Sequence, residues 1–209
     1  MKPIGKQSLV IGTSNPAKYD QLKMALFGCG IHLQSLLDFS FEDMPVENNL
    51  SIEKNALKKA AFYFHKLHRP VLTMDGALYF NGIATELQPG LRVRRILGLN
   101  KKATDYEVLQ HYQTLIEKSG GRLNGYFEYG ICIMLSSSQF YIKKVTSHRL
   151  FISPPSKTMV SGFPLSSLQF DTQSGKFLSE MNKREEKGFW HRTLGKYMSE
   201  FVMQAVSPL

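Results

Sequence analysis

The apolar positions of this chain fall into short runs with strand character and longer stripes at helical spacing, and the two kinds are intermixed. Leu9-Val10-Ile11 is an apolar run closed by Gly12, the pattern of a buried strand. Ser14-Asn15-Pro16 follows, supplying a capping residue and a proline suited to the first helical position; Tyr19, Leu22, Ala25 and Leu26 then recur at helical spacing. A second helix is predicted from Ser51 to about His65. Ile52, Ala56, Ala60 and Phe64 form one stripe of it, and Ser51, Asn55 and Lys59 the neighbouring one. Pro70 to Met74 reads as a strand that delivers Asp75-Gly76 at its carboxyl end. Thr104 and Glu107 form a capping box for a helix built on Val108, Leu109, Tyr112, Leu115 and Ile116. Tyr126 to Leu135 is a long strand, apolar on both faces, and the serine run 136–138 turns it into Phe140 to Val145. A last amphipathic helix starts near Thr193. Helices intermixed with strands and a hairpin predict an α/β chain, a mixed sheet flanked by helices.

Composition narrows the class without choosing a function. The 209 residues, 43% hydrophobic and 21% charged, suffice for one folded domain spanning 1–209. No apolar run approaches the roughly 20 residues that cross a bilayer, and no secretory signal opens the chain, so the cytoplasm is the expected compartment with no membrane partner. Cys29 and Cys132 lack metal-ligand spacing and form no disulfide framework. The net charge of +9 favours anionic ligands, a polyphosphate or a nucleic acid. The basic residues are spread along the chain with no RNA-binding signature, so a stable nucleic-acid partner is not expected.

Four segments could carry chemistry. The turn Thr13 to Lys18 joins a strand to a helix N-terminus, which suits phosphate. Glu47 precedes the helix on which Asn55 and Lys59 share a face. Asp75, beside Gly76, is a carboxylate able to hold Mg²⁺, a cation that prefers oxygen ligands. Ser161-Gly162-Phe163 and the stretch Glu185 to Arg192 offer an aromatic ring and a His191-Arg192 pair placed at a helix N-terminus. Taken singly, each is also what an ordinary capped helix, strand-ending turn or solvated charge run looks like. The chain holds a second such pair in Ser147-His148-Arg149.

Together and in this order, the segments resemble the inosine triphosphate pyrophosphatase family, which removes aberrant purine nucleoside triphosphates. Its Thr-(Gly/Ser)-Asn-x-x-Lys opening is matched by Thr13, Ser14, Asn15 and Lys18. Its Glu-x-x-x-(Ser/Thr)-x-x-x-Asn-Ala-x-x-Lys-Ala stretch is matched by Glu47, Ser51, Asn55, Ala56, Lys59 and Ala60. Asp75, Pro89-Gly90 and Arg95 follow, then Gly162-Phe163, Glu180-Met181, Glu186-Lys187 and His191-Arg192. The similarity spans roughly residues 9 to 205. Met74 stands where the family has an acidic residue, and Ser166 where its base-proximal Asp would be.

The resemblance implies a long bent mixed β-sheet flanked by helices, two lobes with a nucleotide cleft between them, and a homodimer. It implies Mg²⁺-dependent hydrolysis of nucleoside triphosphates to monophosphate and pyrophosphate. Glu47 and Asp75 would hold the metal, with Asp75 also catalytic beside the attacking water. Ser14, Asn15, Lys18, Lys59 and Gly76 would contact the phosphates, and Phe163, Ser166, Lys187, His191 and Arg192 would surround the base. The alternatives are a homologue that binds nucleotides without catalysis and a basic nucleic-acid-binding module.

Overall fold

A short strand, a tight polar turn and a helix open the described chain, and the same economy of connection recurs throughout. The computed structural model describes residues 8–41, 43–45, 51–98 and 101–206. Strand β1 (Ser8–Ile11) leads into α1 (Pro16–Ala25), and β2 (His32–Ser35) and α2 (Ile52–Leu67) follow. Next come β3 (Val71–Phe80), α3 (Asp105–Lys118) and the long strands β4 (Arg122–Met134) and β5 (Phe140–Ile152). The short strands β6 (Gln169–Asp171) and β7 (Lys176–Phe177) precede α4 (Lys183–Trp190) and α5 (Lys196–Val206). The seven strands form one mixed sheet in the order β2-β1-β3-β4-β5-β6-β7, with β1 parallel to both its neighbours and β6 antiparallel to both of its own. No helix among the described residues is long and apolar enough to cross a membrane.

By contacts the chain divides into two compact units, and β3, β4 and β5 each contribute residues to both. The first holds the residues up to Asp75, Tyr129–Val145 and those from Trp190 on. Its core is set by the apolar run of β1, of which Val10 and Ile11 are fully buried, together with Ala56, Ala60 and Tyr63 of α2 and Ile131 and Ile133 of β4. Side-chain removal matters as much as apolar bulk here. A Cβ on Gly130 would lie 2.5 Å from the Ile52 carbonyl carbon, so the first turn of α2 rests directly on the β4 backbone. The second unit holds Gly76–Glu128 and Thr146–Phe189. Phe80 meets Phe151 edge-to-face at 5.0 Å between ring centres, and Val108, Tyr112 and Ile116 of α3 are buried in that unit's core.

Most predicted elements stand where the pattern put them, and three differ. The strand expected over Phe140 to Val145 runs on to Ile152, because Leu150 and Phe151 pair with β6. Asp75 is not at a strand end: β3 continues through Gly76 to Phe80, because Ala77, Leu78 and Phe80 are buried and Leu78 exchanges backbone hydrogen bonds with Gly90 at 3.0 and 2.9 Å. His191 and Arg192 are not at a helix N-terminus. They begin a π-helical turn (His191–Gly195) between α4 and α5, and Trp190 and Lys196 on either side keep right-handed helical φ/ψ. A glycine is required at the end of this turn, since a Cβ on Gly195 would approach the Ala25 carbonyl oxygen to 2.5 Å.

Candidate active site

Two side chains of α2 converge on one carboxylate of β3 within the first unit. Asn55 and Lys59 stand one turn apart on α2, whose N-terminus is fixed by Ser51 Oγ accepting the Lys54 N–H at 3.1 Å. Strand β3 lies beneath this helix and is tied to it by Thr73, whose hydroxyl donates to the Ala56 carbonyl at 2.7 Å. Two residues on, by strand alternation, Asp75 faces the same way. Asn55 Nδ2 donates to Asp75 Oδ2 at 2.9 Å, and Lys59 Nζ donates to Asp75 Oδ1 at 3.0 Å. Asp75 and Lys59 are each 9% exposed and Asn55 3%, so the cluster is buried.

The amide of Asn55 can face only one way, because its NH₂ must meet the carboxylate. Its Oδ1 is thereby left buried without a hydrogen-bond partner among the described residues. A buried carbonyl oxygen with no donor costs about 1–3 kcal/mol. Beside a carboxylate with lone pairs to spare, it forms the oxygen-rich donor set that a hard divalent cation takes. The residues present thus fit the magnesium that the family resemblance implies. Glu47, the other expected ligand, lies outside the described residues.

Lys59 differs from its simplest expectation. Its ammonium is seated on Asp75, so any contact with phosphate is made by a lysine already paired to the carboxylate. Met74, buried at 5%, occupies the strand position before Asp75 and by alternation faces the other side of β3. Its lack of charge leaves the Asp75 face unaltered.

The turn before α1 is built for a close backbone approach. Gly12 is obligatory, since a Cβ there would come within 2.7 Å of Thr73 and 2.9 Å of Tyr63. Thr13 Oγ1 accepts the Asn15 N–H at 3.2 Å, and Asn15 Oδ1 accepts the Ala17 N–H at 2.9 Å, with Pro16 supplying no donor. Asn15 therefore spends its side-chain oxygen on capping α1. Ser14 is exposed at the tip, and Lys18 stands half-buried one turn into the helix.

In the second unit, the Gly162-Phe163 segment is held by its backbone. Gly162 has φ +75°, a conformation glycine adopts freely. The Phe163 N–H donates to Val160 at 2.9 Å, and the Phe163 carbonyl accepts the Ser166 N–H at 3.0 Å and the Ser166 hydroxyl at 2.7 Å. Ser166 is 1% exposed, so its hydroxyl braces this loop from within. Phe163 and Lys187 are half-buried; His191 and Arg192, in the first unit, are exposed. Gly76 is half-buried within β3.

Sequence reasoning passed over two groups. Arg149, of the duplicate His-Arg pair, is buried on β5; its Nε donates to Gln169 Oε1 at 3.1 Å, and its guanidinium stacks 4.9 Å from the Phe189 ring centre. Asp105, the first residue of α3, accepts from Arg94 Nη2 at 2.5 Å and from the Gly162 N–H at 2.7 Å. Neither partner is near in sequence, so spacing carries no sign of either contact.

Comparison with known proteins gives the family and the fold. A model of the Ham1 family matches residues 9–195. The dITP/XTP pyrophosphatase of Thermoanaerobacter sp. strain X514 is 24% identical over 188 residues, 88% of this chain and 90% of that protein. Among solved structures, a HAM1 protein from Coxiella burnetii superposes with a TM-score of 0.69 at 20% identity, covering 95% of this chain and all of that one, 100%. The Staphylococcus aureus Ham1 protein gives 0.65 at 18% identity, covering 95% of this chain and 99% of that one. These neighbours share the fold.

Proposed function

Since the chain belongs to the Ham1 family, we propose that it hydrolyses nucleoside triphosphates of aberrant purines to the monophosphate and pyrophosphate, with Mg²⁺. The observation that carries this reading is the buried Asp75 carboxylate gripped by Asn55 and Lys59, with the Asn55 oxygen given no donor by the described residues. The relatives named dITP/XTP pyrophosphatase supply the substrate class.

Asp75 and the Asn55 amide oxygen would hold the metal together with Glu47, and Mg²⁺ bound there would neutralise phosphate charge. Asp75, with both oxygens already oriented, accepts or aligns the proton of the attacking water at the phosphorus nearest the sugar. Lys59 donates to Oδ1 of that carboxylate and adds positive charge where the phosphates sit. At the α1 N-terminus, Ser14, the backbone N–H groups shaped by Asn15, and Lys18 hold the departing pyrophosphate. By the family resemblance, Phe163, Lys187, His191 and Arg192 would serve the base.

A pyrophosphate-release screen tests the reading. Inosine, xanthosine, deoxyuridine and the ordinary nucleoside triphosphates are each supplied with and without Mg²⁺. Release from the inosine or xanthosine compounds that depends on the metal is expected. Tight binding without release across the whole panel would identify a nucleotide-binding protein instead.

A further inference from the structure

Beyond the Asp75 cluster, Asp105 engages two different loops of the second unit with its two carboxylate oxygens. Oδ1 accepts from Arg94, in the basic segment after Pro89-Gly90, and Oδ2 accepts the N–H of Gly162. The Arg94 side is itself strapped to α3. The Ala103 N–H donates to the Arg94 carbonyl at 2.9 Å, Arg94 Nη2 also reaches the Ala103 carbonyl at 3.4 Å, and the Tyr112 hydroxyl donates to the Val93 carbonyl at 3.1 Å. Asp105 is at the first position of α3 and 20% exposed at its side chain, so its charge is partly shielded from water. A charge-assisted bond to a backbone N–H in that setting is stronger than a neutral one.

The Gly162 end is where this matters. Gly162 holds a left-handed φ, and the next residue is Phe163, whose N–H and carbonyl are already engaged by Val160 and Ser166. The bond from the Gly162 N–H to Asp105 ties this loop to the first residue of a distant helix. We infer that Asp105 is a positioning residue for Phe163: it fixes the ring for the base, and Arg94 holds the carboxylate in the geometry that does so. The inference rests on the proposed reading of Phe163 as the residue that packs on the base.

Calorimetric binding of inosine α,β-methylene triphosphate in Mg²⁺, with a thermal melt of each variant, tests it. Asp105→Ala is expected to weaken binding about tenfold, the worth of one charge-assisted hydrogen bond. Asp105→Asn, which keeps an acceptor oxygen, should recover most of that loss, and Arg94→Gln should weaken binding about threefold. In a Phe163→Ala background none of the three should weaken binding further, because their effect passes through that ring. A purely structural role would instead multiply with Phe163→Ala. Such multiplication, or wild-type affinity in Asp105→Ala, overturns the inference while the proposed function stands. If Asp105→Ala fails to fold, Arg94→Gln carries the same cycle with the same two outcomes. Absence of binding by the wild-type chain overturns both readings.

Discussion

Lys59 Nζ lies 3.0 Å from Asp75 Oδ1, so the lysine expected at the phosphates and the carboxylate expected at the metal form a single buried ion pair. The pair is contributed by one helical turn and one strand position, and Asn55 completes it from the same helix face. Its members cannot be altered independently.

The first consequence is for stability. Lys59→Ala leaves a buried carboxylate with Asn55 as its remaining donor of the two described, and is expected to lower unfolding free energy by roughly 3 kcal/mol. Replacing both partners with apolar residues, Lys59→Met with Asp75→Leu, should recover part of that loss. Urea denaturation of the two variants measures the difference; equal destabilisation would mean that the pair is not coupled.

The second is for catalysis. Asp75→Asn keeps the size of the side chain and removes its charge, leaving the Lys59 ammonium without a carboxylate at that contact. Pyrophosphate release is expected to fall by about 10²–10³-fold while circular dichroism still reports a folded chain. Turnover close to wild type would remove Asp75 from the reaction.

Helix α3 gives a test at its capping box. The Thr104 backbone N–H, then its hydroxyl, hydrogen-bond the Glu107 carboxylate and hold its pKa below the ordinary 4.5. Because the folded value is the depressed one, this contribution is present above pH 4.5 and lost as pH falls through the folded value. Thr104→Ala should cost about 1 kcal/mol near neutrality. The gap between mutant and wild-type melting temperatures should narrow in acid, which a pH series of melts would read directly.

The two cysteines should be distinguishable by reactivity. Burial pushes the Cys132 thiol up to about 12, leaving almost no thiolate at pH 8, whereas Cys29 is only half-buried. A thiol reagent at that pH should titrate one group in the native chain and both after denaturation. Rapid native modification of both would contradict the packing of β4.

Periodicity carried the local elements because their signals are local. Ser51 and Thr104 cap the helices assigned to them, Pro16 opens α1, and the serine turn joins β4 to β5. The convergence of Asn55 and Lys59 was legible too, since four-residue spacing puts both on one helix face. What they converge on was not, because the Asp75 partnership depends on where β3 lies under α2. The end of β3 was placed short at Asp75-Gly76, where a glycine after an acid imitates a turn. The continuation to Phe80 is fixed by buried apolar residues and by Gly90, twelve residues after Leu78. The helix start assumed at His191-Arg192 failed for a related reason: nothing in a Trp-His-Arg-Thr run marks a π-helical turn imposed by the approach of Ala25 to Gly195.

The seat of α2 on Gly130 has a bearing on how this chain tolerates change. With no side chain between them, the β4 backbone is a mechanical stop for the Ile52 peptide, and the height of the helix above the sheet is set at that point. A single methyl added at Gly130 would meet the Ile52 and Glu53 backbone, and would shift the helix that carries Asn55 and Lys59.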